Sequence, residues 1–363
     1  MSDVYAEPTT GAVPTDPATL AHYTTLRLGG PAGQLETATS AEEIVQKVRE
    51  AEVREDPILV LAGGSNVVIG DQGFPGTVVL IRSRGFRVIA EDADTVTVRV
   101  EAGEPWDDLV AATLERGWSG LECLSGVPGS AGATPIQNVG AYGQEVAETI
   151  TGVQAYDRTH REVVRIPAAD CGFTYRGSIF KYSDRWVVLS VDFRLTRSPL
   201  SGPVRYAELA RALGVEVGDR VPLADARATV LRLRAGKGMV LDAADPDTWS
   251  VGSFFTNPVL ERAAYELLRE RATDLGEPPS WPGAGDVVKV SAAWLIDKAG
   301  FGKGHPGPEG VAISSKHTLA LTNRSGTAST SALVALAREI RDGVHDRFGV
   351  TLHPEPVLIN CTI

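Results

Sequence analysis

Cysteines and metal-binding patterns are scarce in this chain of 363 residues. The three cysteines, Cys123, Cys171 and Cys361, lie far apart and form neither a disulfide framework nor a zinc motif. We therefore expect reduced, buried thiols. The six histidines include no HExxH motif and no close pair, so no metal site is expected.

Long apolar runs and basic clusters are also missing. No apolar run reaches the roughly 18 residues of a membrane-spanning helix, and the N-terminus lacks a basic segment followed by an apolar one. The net charge is −11, and the 35 lysines and arginines form no long run of the kind that tracks nucleic-acid phosphates. We expect a cytoplasmic monomer with a flexible segment at 1–22, binding neither nucleic acid nor membrane.

What is present predicts an α+β protein of two or three domains. Apolar residues recur at helical or alternating spacing, and Ser, Pro and Gly mark the element ends. We predict helices at 40–53, 105–117 (with Pro105 first), 222–235, 258–272, 291–300 and through Leu333, Leu336, Ile340 and Val344, and strands within 57–81, 86–103, 150–156, 161–166, 185–196, 318–323 and 354–361.

Two glycine-rich segments are suited to bringing backbone N–H groups close to a phosphate. The first, LAGGSN (61–66), is equally compatible with a simple strand turn. The second, SGVPGSAGATPIQNVGAYG (125–143), has its glycines in GxxGxxG order and no following helix signal, which disfavours Rossmann-type dinucleotide binding. A backbone cradle for a pyrophosphate-containing cofactor suits it, with Ser125, Gln137 and Asn138 as additional hydrogen-bonding groups.

The segment GFTYRGSIFK (172–181) contains adjacent Tyr175 and Arg176. In an extended backbone these side chains would point to opposite faces. An inward Arg176 would offer a planar fork for a carboxylate or phosphate. The alternative is a solvated arginine beside a packed tyrosine.

The segment VGSFFTNP (251–258) allows three interpretations of Ser253: a nucleophile, a helix-end hydrogen-bonding group or a proton source. The absence of a GxSxG motif and of nearby His and Asp residues argues against a hydrolase nucleophile. Asn257 before Pro258 predicts a helix cap with proline at the first helical position. In LHPEPVLI (352–359), prolines on both sides stiffen Glu355 on a predicted strand, as an acid/base group requires, although an exposed carboxylate is the alternative.

Together these segments resemble the UDP-N-acetylenolpyruvoylglucosamine reductases. The resemblance rests on seven motifs in order: AGGSNVVI, GVPGSAGATPIQNVGAYG, YRGSIFK, RAGKGMVLD, GSFFTNP, SAAWLIDKAGFGKG and HPEPVLI. It implies an FAD-binding domain of the vanillyl-alcohol-oxidase (PCMH) type in two α/β lobes, at 23–84 with 354–363 and at 85–240, and an α+β substrate-binding domain at 241–353. It also implies reduction of UDP-N-acetylglucosamine enolpyruvate to UDP-N-acetylmuramate in peptidoglycan precursor synthesis, with FAD as cofactor and NADPH as co-substrate.

The resemblance further implies residue roles. Arg176 would contact the enolpyruvyl carboxylate, Ser253 would donate a proton, and Glu355 would be the third catalytic residue. Trp281 stands where the family has a loop tyrosine that closes over the UDP group, so stacking is retained but the phenolic hydrogen bond is lost. The implied substrate contacts are Tyr175, Tyr206, Lys237, Asn257 and Trp281, and the implied FAD contacts are Gly63, Gly64, Ser65, Asn66, Ser125, Gly126, Pro128, Gly129, Gly132, Gln137, Asn138, Gly140, Ala141 and Tyr142.

Two other functions compete with this one. The chain could be a flavin oxidase or dehydrogenase of the same FAD fold acting on another substrate, or a flavin- or nucleotide-sugar-binding regulator without catalysis. The motifs at Ser253 and Glu355 argue against the first. Arg176, Ser253 and Glu355 argue against the second, because a binding protein has no use for a positioned proton donor.

Overall fold

The computed structural model describes residues 18–283 and 285–363, so 1–17 of the segment predicted to be flexible lie outside the described residues. The chain contains both helices and strands, with long runs of consecutive strands, in agreement with the α+β prediction. Their order is β1 (Ala32–Ala38), α1 (Ala41–Val53), β2 (Ile58–Leu61), β3 (Val67–Ile69), β4 (Phe74–Ile81), β5 (Phe86–Glu91), β6 (Thr95–Glu101), α2 (Trp106–Glu115), β7 (Trp118–Ser119), β8 (Gly140–Ala141), β9 (Gln144–Glu145), β10 (Ile150–Asp157), β11 (Glu162–Pro167), β12 (Trp186–Arg197), α3 (Ala207–Leu213), α4 (Leu223–Gly236), β13 (Ser250–Ser253), β14 (Val259–Glu261), α5 (Arg262–Arg271), β15 (Ser280–Pro282), β16 (Val287–Val290), α6 (Ala292–Lys298), β17 (Val311–Ile313), β18 (Ala320–Asn323), α7 (Thr330–Phe348) and β19 (Val357–Ile359).

Serine caps explain where three of the helices begin. Ser40 Oγ accepts from the Glu43 N–H at 3.1 Å at the start of α1, and Ser291 and Ser329 do the same for α6 and α7. Such a cap satisfies a backbone donor that has no partner within the helix. Helix α2 begins at Trp106, one residue later than predicted, and Pro105 is its N-cap residue instead of its first helical residue.

Two compact units make up the described chain. The central unit comprises residues 33–64 and 75–240. It contains one sheet of order β1-β4-β2 and an antiparallel sheet of order β11-β10-β12-β6-β5, with β7 beside β12. Along β6, Val96, Val98 and Val100 are fully buried and alternate with partly exposed residues, as a strand with one covered face requires.

The terminal unit comprises residues 18–32, 65–74 and 241–363. Its sheets have the orders β13-β18-β17 and β14-β16-β15, and β19 pairs in parallel with β3. Helix α7 buries the four apolar residues predicted for it. The domains predicted from the sequence were defined by FAD binding and substrate binding. The two compact units are defined by packing alone, so the predicted domain limits stay a prediction.

Asn257 and Pro258 do not start the helix that the sequence predicts at 258. Val259–Glu261 instead forms β14, whose backbone pairs with β16, and α5 begins only at Arg262. The prediction of a cap for this helix was wrong, because strand pairing keeps the chain extended after Pro258. Asn257 Oδ1 accepts from the Ala292 N–H at 2.9 Å, so it caps α6, which is distant in sequence.

All three cysteines are free thiols. Burial raises the pKa of Cys123 to about 12 and that of Cys171 to about 11, and neither residue nor Cys361 forms a disulfide. Within residues 18–283 and 285–363, no helix combines the length and apolarity needed to cross a membrane. The same residues contain no cluster of three or more His, Cys, Asp or Glu side chains arranged to hold a metal ion.

Candidate active site

The two glycine-rich loops meet within the central unit. A Cβ on Gly63 would lie 2.7 Å from the Cα of Gly129, so only glycine allows the two backbones to approach this closely. Gly64, Gly126 and Gly129 have φ values of +58°, +71° and +112°, in the region that favours glycine. The structure therefore brings together two segments that the sequence identified separately as possible phosphate cradles.

Two orphaned polar atoms lie along the second loop or against it. Ser130 Oγ and Arg234 Nε are buried and have no hydrogen-bond partner in the described chain. A Cβ on Gly126 would lie 3.6 Å from Arg234 Nε, while Arg234 Nη2 donates to Met239 O at 2.8 Å. Burial lowers the pKa of Arg234. Unsatisfied donors beside a glycine loop fit an acceptor-rich, anionic group such as FAD.

Other predicted FAD contacts are already used within the protein. Ser125 Oγ donates to Glu122 O at 2.7 Å and is fully buried. Asn66 belongs to the terminal unit, where its carbonyl accepts from the Val357 N–H at 3.0 Å. The remaining members of the predicted set lie in the same loops: Ser65, which precedes β3, and Pro128, Gly132, Gln137, Gly140 and Ala141 in the second loop.

Arg176 lies in a turn of the central unit. Thr174 and Gly177 exchange backbone hydrogen bonds, and Arg176 has a φ of 57°. Its Nη2 donates to Gly140 O at 2.8 Å, and its Cζ lies 5.2 Å from the centre of the Tyr175 ring. The segment is a turn rather than an extended strand, so the condition under which these two side chains would point to opposite faces is not met.

Asn138 and Glu145 hold the loop beside Arg176. Asn138 Nδ2 donates to Glu145 Oε2 at 2.8 Å and to Thr174 O at 3.1 Å, and Asn138 Oδ1 accepts from the Ala147 N–H. Asn138 is buried at a φ of 44°, which asparagine tolerates better than most residues. Arg176 Nη1 donates to Asn138 O at 3.4 Å and lies 4.0 Å from Glu145 Oε1.

Three further predicted residues form a second cluster in the central unit. The rings of Tyr142 and Tyr206 meet edge to face at 5.7 Å, and Lys237 Nζ lies 5.6 Å from the Tyr142 ring centre. Glu208, which the sequence did not single out, accepts from Lys237 Nζ at 2.6 Å. Burial raises the pKa of the Tyr142 hydroxyl to about 12, so this group stays protonated at neutral pH.

Ser253 ends strand β13 in the terminal unit. It pairs with Ala320 of β18, and the next residue, Phe254, donates its N–H to Leu319 O at 2.7 Å. Phe254 and Phe255 are buried, and their rings meet at 5.1 Å. A paired backbone and a buried aromatic pair therefore fix the position of the half-buried Ser253.

Glu355 is brought next to this segment by backbone pairing. Its N–H donates to Phe254 O at 2.9 Å, and the Thr256 N–H donates to His353 O at 3.1 Å. Phe255 and Pro354 form an antiparallel bridge. Glu355 lies just before β19 rather than on it, which corrects the sequence prediction, but the ladder places it beside the Ser253 segment.

Trp281 lies on β15, also in the terminal unit. It is opposite Lys289 of β16, and Lys289 Nζ is 5.7 Å from the centre of the indole ring. Its side chain is 44% exposed. An exposed aromatic ring beside a cation can stack on a planar anionic ligand.

A separate hollow lies in the central unit. It has a volume of about 1040 Å³ and runs between α1 and the face of the large sheet. Arg49, Arg87, Glu101 and Leu189 line it, together with other residues of these elements. None of the predicted site residues is part of its lining, so it is not the candidate active site.

Comparison with known proteins covers nearly the whole chain. Residues 34–165 match a family model described as FAD binding domain, and residues 245–359 match one described as UDP-N-acetylenolpyruvoylglucosamine reductase, C-terminal domain. A protein of Salinispora arenicola named UDP-N-acetylenolpyruvoylglucosamine reductase is 79% identical over 345 residues, which is 95% of this chain and 95% of that protein. A Streptomyces coelicolor protein of the same name is 58% identical over 352 residues, 95% of this chain and 90% of that protein.

A solved structure has a similar fold. The crystal structure of a UDP-N-acetylenolpyruvylglucosamine reductase from Thermus caldophilus matches with a TM-score of 0.64 and 24% identity, over 94% of this chain and 97% of that chain. With the two family models, this match confirms the predicted fold class: an FAD-binding domain of the PCMH type joined to a second, C-terminal α+β domain.

Proposed function

Because the chain belongs to the UDP-N-acetylenolpyruvoylglucosamine reductase family, we propose that it reduces UDP-N-acetylglucosamine enolpyruvate to UDP-N-acetylmuramate in peptidoglycan precursor synthesis. It is an FAD-dependent oxidoreductase, and NADPH is the proposed co-substrate. The geometry that carries the proposal is the backbone ladder that joins the Ser253 and Glu355 segments, since the reaction needs a proton donor and a nearby charge-stabilising group.

The backbones of the two glycine loops would hold the cofactor. Gly63 and Gly129 leave room for close approach, and Ser130 Oγ and Arg234 Nε supply buried donors without partners in the described chain. When bound, FAD supplies a carrier that accepts a hydride from NADPH and passes it to the terminal vinyl carbon of the substrate.

Arg176 is the proposed ligand of the substrate carboxylate. Hydride addition to the vinyl carbon moves negative charge onto the carbon beside that carboxylate and into its oxygens. A guanidinium held by Gly140 O is prealigned for this charge, which strengthens stabilisation because no side chain has to reorient during the step. Glu355 is the proposed second group at the developing charge, acting through a hydrogen bond.

Ser253 is the proposed proton donor to the carbon beside the carboxylate. A serine hydroxyl is a very weak acid at neutral pH, so it gives up its proton only to a strongly basic, carbanion-like centre at a fixed and dry position. Phe254 and Phe255 follow Ser253 directly, and both rings are buried. Their packing fixes the backbone of Ser253 and keeps water away from the two rings. These features support the role.

The nucleotide part of the substrate requires other side chains. We assign phosphate binding to Lys237 and stacking on the nucleotide to Trp281, and we assign a further substrate contact to Tyr206, which like Lys237 packs against the Tyr142 ring. Tyr175 supports the Arg176 guanidinium by its ring contact. Asn257 uses Oδ1 to cap α6, so its proposed ligand contact is made by Nδ2.

The test separates the two half-reactions. In Ser253→Ala, we expect flavin reduction by NADPH at the parent rate and flavin reoxidation by the enolpyruvyl substrate slowed by about 10²–10⁴-fold, the usual contribution of a general acid. Stopped-flow absorbance of the flavin measures both rates. The control is Ser250→Ala, which removes another hydroxyl from β13. Reoxidation at the parent rate in Ser253→Ala would refute the proton-donor role.

We further propose that the enzyme works in the cytoplasm as a monomer, with small molecules as its partners. Three cysteines without disulfides support a reducing compartment. Sedimentation velocity of the FAD-loaded protein should show one species near the 38.5 kDa chain mass, and a species of twice that mass would contradict the monomer.

A further inference from the structure

The guanidinium of Arg176 lies against Gly140 and near Glu145. A Cβ on Gly140 would lie 3.1 Å from Arg176 Nη1 and 2.8 Å from Glu145 Cγ. The φ of Gly140 is outside the left-handed region, so the backbone conformation does not require glycine here. The lack of a side chain at Gly140 is therefore needed for space: it lets the guanidinium and the Glu145 side chain pack against the backbone.

Gly140 and Glu145 are opposite each other on one short ribbon. Strands β8 and β9 pair with Gly140 opposite Glu145. The same strand pairing therefore fixes the positions of both residues. The Glu145 N–H donates to Glu148 Oε1 at 3.2 Å, which ties the ribbon to the turn that follows it. The ribbon therefore acts as a rigid support for the guanidinium.

Glu145 connects the arginine to the second glycine loop. One carboxylate oxygen accepts from Asn138 Nδ2 at 2.8 Å, and the other lies 4.0 Å from Arg176 Nη1. The closer hydrogen bonds of Arg176 go to the neutral carbonyls of Asn138 and Gly140. Glu145 thus orients the cation without the bidentate contact that would compete with a substrate carboxylate.

We propose that Glu145 and Gly140 are positioning residues for Arg176, which set the direction in which its guanidinium meets the substrate carboxylate. The proposal rests on the role of Arg176 given above. Neither Glu145 nor Gly140 touches the reacting atoms. Their effect is on the alignment of a group whose displacement by about 1 Å is enough to slow a reaction 10²-fold.

The main experiment measures flavin half-reactions in Glu145→Gln and Gly140→Ala, each loaded with FAD. In both variants we expect reoxidation by the enolpyruvyl substrate to fall by about 10–100-fold at saturation, because alignment is lost in the chemical step. Reduction by NADPH should stay at the parent rate in Glu145→Gln, because Glu145 is not among the implied FAD contacts. Glu145→Asp keeps the charge and should recover part of the loss. Reoxidation at the parent rate in both Glu145→Gln and Gly140→Ala would overturn the proposal.

Glu148→Gln is the matched control. Glu148 lies three residues after Glu145 with the same side-chain exposure of 39%, and its ion-pair partner is Arg205 rather than Arg176. This variant removes an equivalent charge but keeps a side-chain oxygen that can accept from the Glu145 N–H, so it should keep the parent rate of reoxidation. An equal loss in Glu148→Gln would show a general effect of charge and would contradict a specific role for Glu145.

A double-mutant cycle separates a positioning role from a structural one. In an Arg176→Ala background, Glu145→Gln should slow reoxidation no further, because the group that it orients is gone. Additive losses would overturn the positioning role. If Arg176→Ala alone leaves reoxidation unchanged, the proposed role of Arg176 is wrong. If Arg176→Ala slows reoxidation strongly and Glu145→Gln does not slow it, only the positioning role of Glu145 is wrong.

Discussion

Around Arg176 the central unit consists of turns and a ribbon of two short strands. The contacts of its side chain include two backbone carbonyls, the Tyr175 ring and a carboxylate at 4.0 Å. Around Ser253 the terminal unit consists of paired strands over a buried aromatic pair. Both residues belong to the proposed catalytic set, yet one is positioned through its side chain and the other through its backbone.

This difference predicts two kinds of sensitivity. A side chain oriented by polar contacts should lose alignment when a single partner changes, with little effect on unfolding. A backbone fixed by core packing should respond to lost volume with a large loss of stability, because protein interiors are close-packed and relax only partly. Substitutions in each region therefore test whether Arg176 and Ser253 are positioned in these two different ways.

Phe254→Ala should have the largest effect on stability. The ring of Phe254 is fully buried beside Ser253, and removing such a side chain costs about 3–5 kcal/mol in free energy of unfolding. Phe173→Ala, near Arg176, is the matched variant and should cost less because Phe173 is only half-buried. Urea unfolding measures both free energies of unfolding, and equal losses of stability would contradict the difference between the two regions.

Asn257→Ala should have an intermediate effect, of about 1 kcal/mol in free energy of unfolding, as for loss of a helix cap. The variant removes the acceptor of the Ala292 N–H at the start of α6. Ser291→Ala removes the neighbouring acceptor, which takes the Trp294 N–H, and should cost a similar amount. Thermal unfolding with both variants is the measurement. An Asn257→Ala variant as stable as the parent would mean that packing alone positions the start of α6.

Asp107→Asn should have the smallest effect, and the effect should depend on pH. Burial alone would raise the pKa of Asp107, but hydrogen bonds from Arg227 and the Gly126 N–H lower it below its ordinary value of about 3.9. A carboxyl with a lowered pKa in the folded state stabilises the protein above the unfolded pKa and loses this contribution as the pH falls through the folded pKa.

The side chain of Asp107 is 37% exposed, so solvent screening limits its contribution to about 1 kcal/mol or less. Urea unfolding of Asp107→Asn and the parent should differ at pH 7, and the difference should shrink as the pH falls below about 4. A difference that stays constant down to pH 3 would contradict the sign assigned to the pKa.

Local patterns were enough to predict elements with local causes. The Ser40 cap and the spacing of Leu333, Leu336 and Ile340 gave α1 and α7, because those signals lie within the helices themselves. The role of Asn257 was misassigned because its partner, Ala292, lies on another element 35 residues away. Short-range signals cannot identify a donor that only the folded chain brings close.

The candidate site shows the same limit. The motifs gave Arg176, Ser253 and Glu355, but not Glu145, Glu208 or Arg234. Glu145 follows the glycine loop by two residues, and its importance becomes visible only when β8 and β9 pair. Arg234 lies three residues before Lys237 at the end of α4, a spacing that puts both cations on one side of the helix. This spacing was the sequence signal by which Arg234 could have been found.

The parallel pairing of β19 with β3 has a consequence for the order of events during synthesis. Val357 pairs with Val67, so strand β3 leaves the ribosome long before its partner exists. Every strand of the central unit has been translated by Val240, and we expect that unit to acquire its structure while translation continues. The ladder between Phe254 and Glu355 is then among the final contacts to form, so a nascent chain can contain Arg176 in its turn well before Glu355 is paired with the Ser253 segment.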